Sequence, residues 1–180
     1  MRYIALLRGI NVGGHQVKME ALRRHFADLG LTNVGSYIQT GNVFFDSDEP
    51  DRAALRARIE GHLLSVLGYA VPTCLRTVEE FAAVMALDPF AGIELRPDMR
   101  FAVNYLTEPV ALQPDLPYYT PQRDFALVGM TPTELFVVWY LVAGRPGQGY
   151  AHLEKRFNVL ATTRFWHTSA KILAAARPPA

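Results

Sequence analysis

A chain of 180 residues, half of them hydrophobic and 19% charged, can fill a substantial core, in one ordinary domain or two small ones. Its 18 basic and 17 acidic side chains leave a net charge of +1, and its single cysteine, Cys74, excludes an intrachain disulfide and a thiolate metal cluster. The longest apolar run, Leu135 to Ala143, is shorter than the about 20 residues a membrane-spanning helix needs, and Arg8 and Gly9 break the first apolar segment too early for a signal peptide, so a cytoplasmic protein with no membrane partner is expected.

Tyr3 to Leu7 reads as a buried strand. It runs into Arg8-Gly9-Ile10-Asn11-Val12-Gly13-Gly14-His15, a glycine-rich loop ahead of a helix over Val17 to Leu29, where Met19, Leu22, Phe26 and Leu29 share a face and Gly30 ends the element. Strand, glycine loop and helix in this order build an anion site, because freed backbone N–H groups and the positive helix end face one point. Gly9 and Gly14 keep the outer spacing of the phosphate-cradling motif of nucleotide hydrolases. His15 and Gln16 then stand where that motif needs Lys followed by Ser or Thr, which argues against nucleotide hydrolysis. The competing reading is a tight connection whose glycines serve only the backbone.

Next comes a hairpin, Tyr37 to Thr40 and Val43 to Phe45, around a two-residue turn at Gly41-Asn42. A helix over about Asp51 to Leu67 stacks Leu55, Ile59, Leu63 and Leu67, stops at Gly68, and gives Asp48 a capping role at its start. Tyr69 to Leu75 reads as a strand with Cys74 buried in it, and Thr77 with Glu80 forms a capping box before a short helix bearing Phe81, Val84 and Met85. The order βαββαβ plus a helix is that of the ferredoxin-like split βαβ arrangement.

Past Asp88 to Pro97 the pattern repeats in reduced form. Met99 to Leu106 reads as a strand, Phe125 to Gly129 and Leu135 to Tyr140 as a hairpin, and Tyr150 to Phe157 as a short helix with Tyr150, Leu153 and Phe157 on one face. Val71-Pro72-Thr73-Cys74-Leu75-Arg76 and Val159-Leu160-Ala161-Thr162-Thr163-Arg164 are similar strand-to-helix junctions. The proline-rich stretch Pro109 to Pro121, with Tyr118 and Tyr119, stands where the second copy would have its first helix. The expected fold is therefore α+β, with two tandem ferredoxin-like units at 1–88 and 89–180, the second reduced, each an antiparallel sheet with helices packed on one face.

Basic residues gather at both ends. Met1 to His25 sets five of them against Glu20, and Arg145 to Arg177 sets six against Glu154, which leaves the middle strongly acidic. Thr162 or Thr163 is positioned to cap a final helix with Trp166, Ala170 and Leu173 on its apolar face and Arg164, His167 and Lys171 as a cationic stripe. Arg164 then needs an anionic partner, either a ligand phosphate or carboxylate or a protein carboxylate such as Glu134 or Asp124. A second glycine loop, Gly144 to Gly149, carries Arg145, whose fork geometry suits phosphate. His15, His25, His62, His152 and His167 show no metal-ligand spacing along the chain, no serine sits in a nucleophile elbow, and no metal or cofactor is expected.

Three segments together resemble the domain-of-unknown-function 1697 family of small bacterial α+β proteins: Tyr3 to Gly14 with Lys18-Met19, Tyr37-Ile38-Gln39-Thr40-Gly41-Asn42-Val43, and Ala161 to Thr168. The resemblance implies tandem ferredoxin-like units and brings no substrate or reaction. This chain departs from it at Phe165, where the family typically has Asn, and at His167, where it often has Asn. From the residues themselves, the expected role is binding of an anionic ligand, a phosphate-bearing small molecule or nucleic acid, through Arg8, Gly9, Asn11, Gly13, Gly14, Lys18, Arg164 and Lys171. A Gly-Phe-rich RNA-binding strand is missing, so a nucleic-acid role rests on charge. The alternatives are an enzyme acting on a small phosphorylated or carboxylated metabolite with His15 as general acid or base, and a partner-binding protein docking through Leu116-Pro117-Tyr118-Tyr119.

Overall fold

Strand β1 (Arg2–Leu7) carries five consecutive buried residues, Tyr3 to Leu7, and a run without alternation means that both faces of its sheet are covered. In the computed structural model, which describes residues 1–111, 113–142, 144–146 and 149–177, β1 is a central strand. Helix α1 (Met19–Ala27), β2 (Thr32–Ser36), β3 (Asn42–Asp46), α2 (Arg52–Leu67), β4 (Thr73–Thr77) and α3 (Val78–Met85) follow it. The sheet order is β2-β3-β1-β4 and every pairing is antiparallel. Tyr3, Ala5 and Leu7 point with Val43, Phe45 and Leu75 into a core closed by Leu22 and Phe26 of α1 and Leu55, Ile59 and Leu63 of α2. On the other face Ile4 stands opposite Arg76 and Leu6 opposite Cys74, and α3 packs against β1 and β4.

The helix ends follow their side chains. Asp51, not Asp48, caps α2, accepting from the N–H groups of Ala53 (2.8 Å) and Ala54 (3.1 Å), and Gly68 closes the helix at φ +79°. The expected capping box is present, with Thr77 Oγ1 accepting from Glu80 N and the Glu80 carboxylate from Thr77 N.

Two further expectations change in this half. The two-residue turn at Gly41-Asn42 is a wider loop over 37–41, because Asn42 turns inward and its amide donates to Tyr37 O (3.0 Å) and Thr40 Oγ1 (2.9 Å). The strand expected from Tyr69 starts at Thr73, since Pro72 has no N–H for a ladder and Tyr69 packs elsewhere.

The second sheet holds β5 (Met99–Leu106), β6 (Tyr118–Tyr119), β7 (Phe125–Met130), β8 (Glu134–Val142) and β10 (Ala161–Phe165) in the order β10-β5-β8-β7-β6, with β9 (Arg145–Pro146) paired to β8. Helices α4 (Gly149–Phe157) and α5 (Trp166–Ala176) complete it. Ala102, Leu106, Phe125, Leu127, Leu135 and Val137 form its core with Leu153 and Phe157 of α4. No helix lies between β5 and β7 among the described residues. The proline-rich stretch supplies β6 at the sheet edge, where the Tyr118 hydroxyl meets His152 Nε2 at 2.8 Å and its ring lies under the Arg156 guanidinium. Tyr118, expected as a docking residue, is thereby engaged by its own unit.

By packing, the chain divides into a unit of Met1–Ala86 with Ala170 onward, and a unit of Leu87–Ser169. The last helix begins in the second and ends in the first, where the expected boundary had left it wholly in the second. The fold is α+β, with two antiparallel sheets and five helices among the described residues.

Candidate functional site

The loop end of the first sheet is built around Asn11. Its backbone sits in the left-handed region, φ +57°, which asparagine tolerates better than most residues. The side chain brackets the loop: Nδ2 donates to Val17 O (3.1 Å) and Gln39 O (2.8 Å), and Oδ1 accepts from Val17 N (2.6 Å). Asn11, expected to touch a ligand, spends both amide hydrogens on carbonyls, so its side chain clamps the glycine-rich loop onto the 37–41 loop instead. Two further bonds hold this end together, Leu7 N to Gly41 O (2.8 Å) and Arg8 N to Pro72 O (2.9 Å).

Gly9, Gly13 and Gly14 have φ of +78°, +61° and +92°, and a Cβ built on any of them would meet nothing within 4 Å. Crowding therefore does not explain these glycines. They serve backbone conformation and leave the chain open to whatever approaches it. Between them and α1, His15 N donates back to Val12 O (3.1 Å), while the N–H groups of Gly13 and Gly14 make no hydrogen bond among the described residues. Lys18, exposed, occupies the N-cap of α1 and supplies no side-chain cap, so the first N–H groups of that helix have no capping side chain. Arg8 is half-buried at the start of the loop. His15 is exposed, and its ring stacks on Tyr69 with centroids 3.7 Å apart. The Tyr69 hydroxyl is buried with no hydrogen-bond partner among the described residues. This tyrosine had no signal in the sequence, because only the end of α2 at Gly68 brings it over the loop.

The chemistry available here is oxyanion binding by backbone donors, a helix end and cationic side chains, with an imidazole held flat at the rim.

The residues expected from the C-terminal motif are placed otherwise. Arg164 lies on β10 and not on a helix, opposite Val103, so no stripe with His167 and Lys171 exists on one helix face. It is 7% exposed and its Nη1 donates to Thr162 Oγ1 and Thr163 O, both at 2.8 Å. Arg76, its counterpart on β4, is 6% exposed and donates to Leu75 O at 2.8 Å. Asp124, named as a partner for Arg164, accepts from Thr120 Oγ1 (2.6 Å) instead. Glu134 is buried and takes hydrogen bonds from the Thr131 and Thr133 hydroxyls. On α5 the buried positions are Ser169, Ile172, Leu173 and Ala176, while Ala170 and Lys171 are exposed. Of the second glycine loop, Gly147 and Gln148 lie outside the described residues, and Arg145 falls in β9.

Among known proteins, the solved structure of conserved bacterial protein SP0830 from Streptococcus pneumoniae is similar to this chain, with 26% identity and a TM-score of 0.70 over 98% of each chain. No curated protein matches. A family model described as a protein of unknown function, DUF1697, matches residues 1–122. That stretch holds the first sheet, the glycine-rich loop and the 37–41 loop clamped to it, while Arg164 and Lys171 lie beyond it. From its first strand to Gln122 the sequence carries the family's pattern, and the chain belongs to DUF1697, a family of proteins of unknown function.

Proposed function

We propose that this protein is a cytoplasmic binding module for a phosphate-bearing ligand, received at the loop end of the first unit by the glycine-rich segment 8–18. We further read the two units as tandem ferredoxin-like copies, the second having lost its first helix; the matching strand orders, β2-β3-β1-β4 and β7-β8-β5-β10, support this. One observation carries the ligand reading: the N–H groups at Gly13 and Gly14 are open, and four residues past Gly14 stands Lys18, the N-cap of a helix start that no side chain caps. Arg8, Gly9 and Lys18 complete this site. Asn11 shapes it. A second reading, an enzyme acting on a phosphorylated or carboxylated metabolite, draws on His15, whose ring Tyr69 holds at the rim.

Thermal unfolding with inorganic phosphate, pyrophosphate, mononucleotides and a short oligonucleotide tests the proposal. A ligand confined to the folded state at a hundred times its Kd stabilises by about 2.7 kcal/mol. At least one phosphate compound should raise Tm in the wild type and much less in Lys18→Ala. No shift at millimolar concentrations would refute binding. Turnover of a stabilising phosphate ester, lost in His15→Ala, would favour the enzyme.

A further inference from the structure

Helices α1 and α2 pack against each other under the first sheet, and at one end of their contact three side chains of metal-binding type converge. His25 lies in the last turn of α1, Asp28 is its C-cap, and His62 sits one residue before the buried Leu63 of α2. Each offers one ligand atom, and the three atoms lie within 4.8 Å of one another. His25 Nδ1 stands 4.0 Å from Asp28 Oδ2, and the imidazole rings meet edge-on with centroids 5.8 Å apart.

The two histidines also carry an unmet need. His25 Nδ1 and His62 Nε2 are both buried and have no hydrogen-bond partner among the described residues. Buried polar atoms almost always find partners, and two orphaned imidazole nitrogens in one cluster are a specific exception. Imidazole nitrogen is a preferred ligand for zinc and its neighbours in the first transition series. The C-terminus of α1 adds the negative end of its dipole, which favours a cation there. Of the arginines nearest in sequence, Arg24 is paired with Glu20 at 3.1 Å.

We infer that His25, Asp28 and His62 form a binding site for a divalent transition metal such as zinc, separate from the phosphate loop. Zinc bonds of about 2.0 to 2.1 Å would set tetrahedral ligand atoms about 3.3 Å apart, so the cluster must contract on binding. Asp28, 64% exposed, has the freedom to swing inward. Three protein ligands leave the fourth position to water or to a ligand from solution. Spacing along the chain hides this set, because its third member comes from a different helix 34 residues beyond Asp28.

Untagged protein, stripped with a chelator and dialysed, is titrated with Co2+ and then Zn2+. One Co2+ per chain should give a visible d–d band that one equivalent of Zn2+ abolishes. The imidazole resonances of His25 and His62 should shift with Zn2+ while those of His15, His152 and His167 stay. His25→Ala and His62→Ala should each weaken Zn2+ binding on the order of 100-fold, and Asp28→Asn about tenfold, with His167→Ala as the unchanged control. If an alanine variant fails to fold, the wild-type resonances decide. Absence of a Co2+ band from folded protein, shifts confined to other histidines, or full binding by a folded His25→Ala/His62→Ala double variant would overturn the site.

Discussion

Gly41 and Gly13 both have positive φ, +72° and +61°, yet their surroundings separate them. A Cβ at Gly41 would stand 2.9 Å from Leu7 Cβ and 3.1 Å from Ile10 Cβ, whereas one at Gly13 meets open space. Gly41→Ala should therefore cost the left-handed penalty of about 1 to 2 kcal/mol plus a clash at the end of β1, about 3 kcal/mol in all. Gly13→Ala should cost about 1 kcal/mol and should blunt any stabilisation by phosphate. Urea denaturation of the two variants checks this, and equal losses would mean that the loop at Gly13 is as crowded as that at Gly41. Arg164 belongs to the same scale. A guanidinium so deeply buried, bonded to Thr162 and Thr163, is part of the fold, so Arg164→Ala should lower stability by about 2 to 3 kcal/mol with or without ligand. A Tm unchanged without ligand would return Arg164 to the role of an anchor. The sequence showed the arginine but not its depth, because the motif reads equally well as the first turn of a helix.

At the scale of elements, charge ties helix starts together. Glu80 closes the capping box of α3 and also accepts from Arg52 at 2.6 Å, which joins the first turns of α2 and α3. Partial burial pushes its carboxyl upward, but the bonds from Arg52 and Thr77 outweigh that and hold it below its ordinary value of 4.5. Asp46 is likewise pulled below 3.8, burial being outweighed by bonds from Asn33 and Arg2 that pin β2, β3 and β1 at one end. Groups depressed in this way contribute stability that is complete above their unfolded values and lost as pH falls through the folded ones. Glu80→Gln keeps a capping oxygen and loses the charge. It should be less stable than wild type by about 0.5 to 1 kcal/mol at pH 7, a gap that closes toward about pH 3. Urea midpoints measured across that range report it, and a constant gap would mean that the charge has no part. Caps of this kind were readable from Thr77, Glu80 and Gly68, since each acts within four residues. The 37–41 loop was not, because Asn42 is turned inward by what lies beneath it.

For the whole molecule, the segregation of charge along the chain disappears once residues are grouped by unit: the first holds eleven basic side chains against nine acidic, the second seven against eight. On the proposed reading, any polyanion affinity rests on the glycine-rich loop, and a mononucleotide should stabilise as well as an oligonucleotide of equal concentration. The repeat of strand order was legible because hydrophobic runs and two matching junctions return in sequence. The destination of the last helix was not, since nothing local to residues 166–176 says which unit will cover Ile172 and Ala176, both fully buried. Ending the chain after Ser169 should remove that burial and the bond from Arg2 Nε to Ala176 O. Amide exchange in β1 should then quicken at least tenfold, as expected for the loss of one or two buried aliphatic side chains at about 1.5 to 3 kcal/mol each. Unchanged protection of β1 would make the end of α5 dispensable.

The bond between Arg2 and Ala176 spans 174 residues and joins an early strand to a segment synthesised much later. At about 5 to 20 residues per second, β1 waits roughly 9 to 35 s on the ribosome for the segment that completes its unit. Through that interval the apolar strand Tyr3 to Leu7 has its own sheet partners, while the acceptor of the Arg2 side chain, Ala176 O, has not yet been made. The first unit therefore gains its last segment only once residues 170–176 have left the ribosome, long after its own strands have emerged.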